Sequence, residues 1–88
     1  MAIATISVLI ANRAAHSVEV QKVLSDFGEI IISRTGLNLM HSQWKKAKAG
    51  LVVLVVEGEL EKIDKLQERL DNVAEVDAKY CLLTKEND

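Results

Sequence analysis

The sequence predicts an α+β fold of order βαββαβ, with four strands in one antiparallel sheet and two helices on one of its faces. Three observations predict it. Leu51–Val56 reads LVVLVV, six apolar residues in a row between Gly50 and Gly58. That run is too short for a helix core and suits a strand dry on both faces, in the middle of a sheet. Two other stretches carry apolar residues at helical spacing, and two more alternate with period two.

The first strand is Ile3–Ala11, with Ala4, Ile6, Val8 and Ile10 on one side and Thr5 and Ser7 on the other. Leu9 leaves that second side partly apolar. Asn12–Arg13 ends the strand, and a helix follows whose stripe is Val20, Val23, Leu24 and Phe27. Gly28 is expected to stop it in a left-handed conformation. Glu29–Thr35 (EIIISRT) is the second strand, rich in β-branched residues. Between Gly36 and Gly50 the pattern dissolves into a long hairpin tip or loop. Leu51–Gly58 is the third strand. A second helix places Ile63, Leu66, Leu70 and Val73 on one face, with Glu59 and Glu61 at its positive end and Glu61 four residues before Lys65. The last strand alternates Val76, Ala78, Tyr80 and Leu82 against Asp77, Lys79, Cys81 and Leu83. The polar tail Thr84–Asp88 is expected to fray.

This order is the ferredoxin-like plait, one domain over residues 1–88, with its first and third strands central. Helices cover one sheet face only, and both phases of the third strand are apolar. An uncovered apolar patch would forgo roughly 1.5–3 kcal/mol per side chain, so a second chain is expected to cover it. We take Val52, Leu54 and Val56, with Leu9 and Trp44, as the contact surface of a homodimer or homotetramer.

Composition narrows the function. With 88 residues and 49 % hydrophobic content the chain is an ordinary globular domain, too small for a second core. A net charge of −2 argues against binding nucleic acid by itself. So does the placement of Phe27, Trp44 and Tyr80, none of them on a central strand where bases would stack. One cysteine, Cys81, excludes an internal disulfide and a four-cysteine iron–sulfur cluster, and points to a reducing, cytoplasmic setting. The apolar N-terminus lacks the basic start of a signal peptide and is far short of the roughly 20 residues that span a bilayer. The residues before Ile3 are too few for a DNA-binding segment.

No Ser/His/acid or Cys/His spacing suggests a nucleophile, so the chain reads as no enzyme, with no cofactor. His16, His41 and Cys81 are ligand types too far apart to indicate a metal. His16, one turn before Val20, suits either a half-buried helix-start histidine or a ligand-facing group. Trp44, Lys45, Lys46 and Lys48 form one basic-aromatic cluster, read as a solvated turn with Trp44 at an interface. An acyl-phosphate hydrolase using Arg13 and Asn38 is the weakest reading, because the turn after the first strand has no glycine to cradle a phosphate.

The stretch VLSDFGEIIISRTGLNL, residues 23–39, resembles the helix–strand junction of the small iron-only hydrogenase system regulators, whose strand closes with Arg-x-Gly-Leu, here Arg34, Gly36 and Leu37. The similarity extends weakly over most of the chain. It implies an ACT-like plait, also similar to the effector domain of the nickel-responsive repressor, and a regulatory, oligomeric protein. Three features depart from the relatives: the segment Met40–Ala49 is longer, Asp71 and Glu75 stand where glycine is common, and His41 and Cys81 do not reproduce a nickel set. Arg13–Ser17 also lacks the glycine with which ACT domains receive an amino acid. The expectation is therefore a regulatory module, putting transcription under control through a partner or through its own hairpin, with a small-molecule effector held by Arg13, His16, Arg34, Gly36 and Asn38. Arg34 would clamp an anion, and Gly36 would let it approach the backbone. The alternatives are an amino-acid-binding ACT-type domain or a purely structural protein–protein module.

Overall fold

The computed structural model describes residues 1–37, 39, 43 and 48–84. Its elements are β1 (Ala2–Ile10), α1 (Arg13–Asp26), β2 (Ile31–Leu37), β3 (Gly50–Gly58), α2 (Leu60–Asp71) and β4 (Val76–Leu82). The sheet is antiparallel in the order β2-β3-β1-β4, so the valine-rich strand is central. Asn38, His41, Trp44, Lys45 and Lys46, which the sequence singled out, lie outside the described residues.

Each helix has a local reason for its bounds. Asn12 is extended, and its side chain accepts the Ala15 N–H at 3.3 Å, capping α1. At the other end Phe27 N–H donates to the Leu24 carbonyl and Gly28 N–H to that of Ser25, tightening the last turn. Gly28 is not left-handed, so the expected glycine stop is replaced by this short-range pair. The one described left-handed non-glycine residue is Glu75, at φ 60°, between α2 and β4. The second strand begins at Ile31 rather than Glu29, because Ile30 turns into the core and Glu29 stays in the turn. It also runs on through Gly36 and Leu37, where the alternating pattern is lost.

The core lies between sheet and helices. Ala4, Ile6 and Val8 of β1, Leu54 and Val56 of β3, and Ala78 of β4 meet Ile63, Leu66 and Leu70 of α2 and Val20, Val23 and Leu24 of α1, all buried. Register fixes this: Ile6 opposes Leu54 and Ala4 opposes Val56, and cross-strand partners share a face. The expected interface residues Val52, Leu54 and Val56 are therefore on the helix-covered face, a correction of phase by one residue. The uncovered face carries the other set in rows. Leu37, Leu51, Leu9 and Asp77 make one row, Thr35, Val53, Ser7 and Lys79 the next, and Ser33, Val55, Thr5 and Cys81 the third. Leu9 is on this face as expected, and Leu51, Val53 and Val55 are half-buried.

Side chains tie the layers at the surface. Arg69 reaches Asp26 at 2.8 Å and lies 5.4 Å from the Phe27 ring centroid, joining α2 to α1. Asp71 accepts the Ala78 N–H at 3.0 Å and Gln67 the Tyr80 N–H at 2.8 Å. No described helix is long and apolar enough to cross a membrane.

Candidate functional site

The turn from β1 into α1 holds two of the expected site residues, Arg13 and His16. Ala11 N–H donates to the Glu75 carbonyl at 2.8 Å, and Arg13 N–H to the Lys48 carbonyl at 3.2 Å. These two bonds hold the turn between the chain leaving α2 and the chain entering β3. Asn12, Arg13, Ala14 and Lys48 line an open depression of about 380 Å³ here. The stem of Arg13 lies over Gly50, where an added Cβ would sit 3.5 Å from the arginine Cβ and Cδ. An alanine at position 50 would therefore rest in ordinary van der Waals contact with that stem.

The charged side chains that line the depression, Arg13 and Lys48, have one sign. Two cations line the depression at the start of a 14-residue helix whose first turn holds no acidic residue. A helix start carries roughly half a positive charge and ordinarily attracts Asp or Glu. Here Arg13 takes the first position, which adds to that charge instead of offsetting it. The N–H groups of Arg13, Ala15 and His16 are already bonded within the chain, so an anion at this corner would be held chiefly by the two flexible cations.

His16 stands one turn further on but does not line the depression. Its side chain is 15 % exposed, and its Nε2 is 3.0 Å from Glu75 Oε1. The Glu19 carboxylate lies 3.6 Å from Nδ1, beyond hydrogen-bond range, and that buried nitrogen has no hydrogen-bond partner among the described residues. The two carboxylates sit on opposite ring nitrogens, so His16 fastens α1 to the α2–β4 turn. Of the two readings that the sequence allowed, this is the structural one. Among the described residues no three His, Cys, Asp or Glu side chains come together as a metal site.

Arg34 and Gly36 are on β2, opposite Leu54 and Val52 and thus on the helix side of an outer strand. Both are exposed and neither lines the depression. Arg34 is four positions along the sheet from the level of Gly50, roughly 13 Å at the rise of a strand. Sequence reasoning placed Arg13 and Arg34 in one site; the fold separates them. It also missed Lys48, which was assigned to the hairpin cluster. Nothing local pairs Lys48 with Arg13, since only the fold brings them together.

Another, smaller depression of about 220 Å³ lies at the opposite end of the sheet, among Met1, Glu29, Ile30, Glu57, Gly58, Glu59 and Lys62. Lys62 donates to Glu29 at 2.6 Å. That hydrogen bond, with the opposite charge, holds the Glu29 carboxyl below its usual range and the Lys62 ammonium above its own.

Comparison with known proteins bears on this geometry as a whole. Residues 2–80 match the family described as TM1266-like, "Iron-only hydrogenase system regulator, putative". The solved structure of protein TM1266 from Thermotoga maritima is similar, with a TM-score of 0.82 and 19 % identity, covering 94 % of this chain and 98 % of that one. A dimeric ferredoxin-like protein from an uncultured marine organism is similar at a TM-score of 0.53 and 10 % identity, covering 96 % of each chain. At these identities the two structures show a shared fold. No curated protein matches the sequence.

Proposed function

This chain belongs to the TM1266-like family of iron-only hydrogenase system regulators, and from that premise we propose a non-enzymatic regulatory module that acts as a homo-oligomer and senses an anionic small molecule. The observation that carries the ligand class is the corner at the start of α1. Arg13 and Lys48 flank a helix start that has no acidic side chain in its first turn. Charge of one sign is costly to keep there without a counterion, and a carboxylate or phosphate supplies one. The uncovered sheet face supports the oligomer, since Leu9, Leu51, Val53 and Val55 remain partly exposed in the single chain. A dimeric ferredoxin-like neighbour of the same fold points the same way.

Thermal denaturation with a panel of phosphate, amino acids, nucleotides and divalent metals tests this reading. An anionic compound is expected to raise the melting temperature with concentration, by the equivalent of about 2.7 kcal/mol at a hundred times its Kd. Arg13→Ala and Lys48→Ala are expected to abolish the shift while leaving the unliganded melting temperature within a few degrees. A panel without any shift, or a shift that survives in both variants, contradicts the effector reading and leaves a purely structural protein–protein module.

A further inference from the structure

We propose that a second copy of this chain joins the sheet along the outer edge of β2, strand to strand and antiparallel, with Thr35 on the two-fold axis. This deepens the homo-oligomer reading and rests on it.

The two edges of the sheet are treated differently. On β4, the outward N–H groups of Ala78 and Tyr80 are taken by the side chains of Asp71 and Gln67 from α2. That edge is sealed, and it also carries Asp77 and Lys79, the kind of charge that discourages pairing. On β2, six of seven residues are exposed, and no described residue caps its outer side. It holds no proline, lysine or carboxylate over Ile31–Leu37, and its bulge is confined to the start, between Ile31 and Ser33. Ser33–Leu37 is thus a regular strand with one open side.

Hydrogen-bond parity tells which groups that side presents. Glu57 N–H donates to the Ile30 carbonyl, so the odd-numbered residues of β3 turn their backbone toward β2. Their partners Ser33, Thr35 and Leu37 then bond inward, and Arg34 and Gly36 turn their N–H and C=O outward. Gly36 adds a second observation. Its φ is not positive, and a Cβ built on it meets nothing within 4 Å. The single chain gives no reason for glycine there, whereas close approach of another backbone would.

A two-fold axis normal to the sheet keeps helices on one side, so residue pairs must have an even sum. Centred on Arg34, the pairing would set two guanidinium groups head-on. Centred on Thr35, Arg34 faces Gly36 of the second copy, where the missing side chain leaves room. Both residues present outward backbone groups, so each of the two symmetric pairs can exchange two hydrogen bonds. The two Thr35 residues form a non-hydrogen-bonded pair with Cα atoms about 4.5 Å apart.

That spacing can be tested by cross-linking. In a Cys81→Ser background, Thr35→Cys is expected to give a reducible dimer on mild oxidation at low micromolar protein, because about 4.4–6.8 Å between Cα atoms suits a disulfide. Ser33→Cys, four places out of register with its own copy, is expected to stay unlinked. Thr35→Lys, which opposes two ammonium groups, is expected to lower the sedimenting mass with unchanged far-UV circular dichroism. Equal linking in the two cysteine variants overturns the edge pairing alone, and so does a Thr35→Cys chain that sediments as an oligomer yet does not link. A parent chain that sediments as a monomer overturns the homo-oligomer reading with it.

Discussion

Glu75 is held in a conformation that its side chain disfavours. At φ 60° it sits in the left-handed region, which costs a residue with a Cβ roughly 1–2 kcal/mol. The site is over-determined: its carbonyl accepts from Ala11, and its carboxylate meets His16 on a half-exposed surface. An exposed pair of this kind contributes about 0–1 kcal/mol, so the backbone cost is the larger effect. Glu75→Gly is therefore expected to raise stability by about 0.5–1 kcal/mol, and Glu75→Ala, which keeps the strain and loses the contact, to lower it by a similar amount. Urea midpoints for the pair check this. The conformation could not be read from composition or periodicity, and only the resemblance, with glycine common at this place, hinted at it. Tyr80 offers a second test, helped by being the one tyrosine in the chain. Its hydrogen bond to the Asp64 carboxylate, then burial and the nearby negative charge, push the phenol above its ordinary range. The raised value means stability that is present at neutral pH and lost as pH climbs through the folded value, above roughly pH 10. Tyrosinate absorbance is expected to titrate above that point in the parent and to return toward it in Asp64→Asn. An identical titration in both would remove Asp64 as the cause.

Among the elements, β3 shows why a sequence can specify a strand and not its phase. LVVLVV is apolar at every position, so periodicity named the central strand and left open which set met the helices. The answer was held by β1, whose buried Ala4, Ile6 and Val8 share a face with Val56, Leu54 and Val52 across the ladder. The helices were easier to read, because Val20, Val23 and Leu24, and Ile63, Leu66 and Leu70, repeat at helical spacing against polar neighbours. The end of α1 was not, since Gly28 stops nothing by its own conformation and two short backbone bonds close the turn instead. The phase makes a sharp contrast between neighbours. Leu54→Ala, fully buried under the helices, is expected to cost about 2–5 kcal/mol in any oligomeric state. Val53→Ala, on the uncovered face, is expected to cost under about 1.5 kcal/mol in dilute solution, rising with protein concentration if a second copy covers it. Chemical denaturation at two protein concentrations reads both.

At the scale of the whole molecule, the candidate site was half legible. The turn after β1 and its Arg13 stood out as the place where this order of elements presents a helix start. Lys48 could not be paired with it, 35 positions further on, until the fold set the chain entering β3 beside the turn. Arg34 and Gly36 were expected beside Arg13 as ligand groups, but the register sets them along the outer strand and away from it. What joins these features is a sheet with one face under helices and the other bearing Leu9, Leu51, Val53 and Val55. A chain of 9.7 kDa buries too little surface to leave such a face open without cost. Sedimentation equilibrium of the parent chain beside Val53→Asp tests this most directly. The parent is expected at a whole multiple of 9.7 kDa, and Val53→Asp, which leaves the β2 edge free to pair, at a smaller multiple than the parent with unchanged far-UV circular dichroism. A parent that remains at 9.7 kDa up to millimolar concentration, or a Val53→Asp chain that assembles as the parent does, would contradict the account.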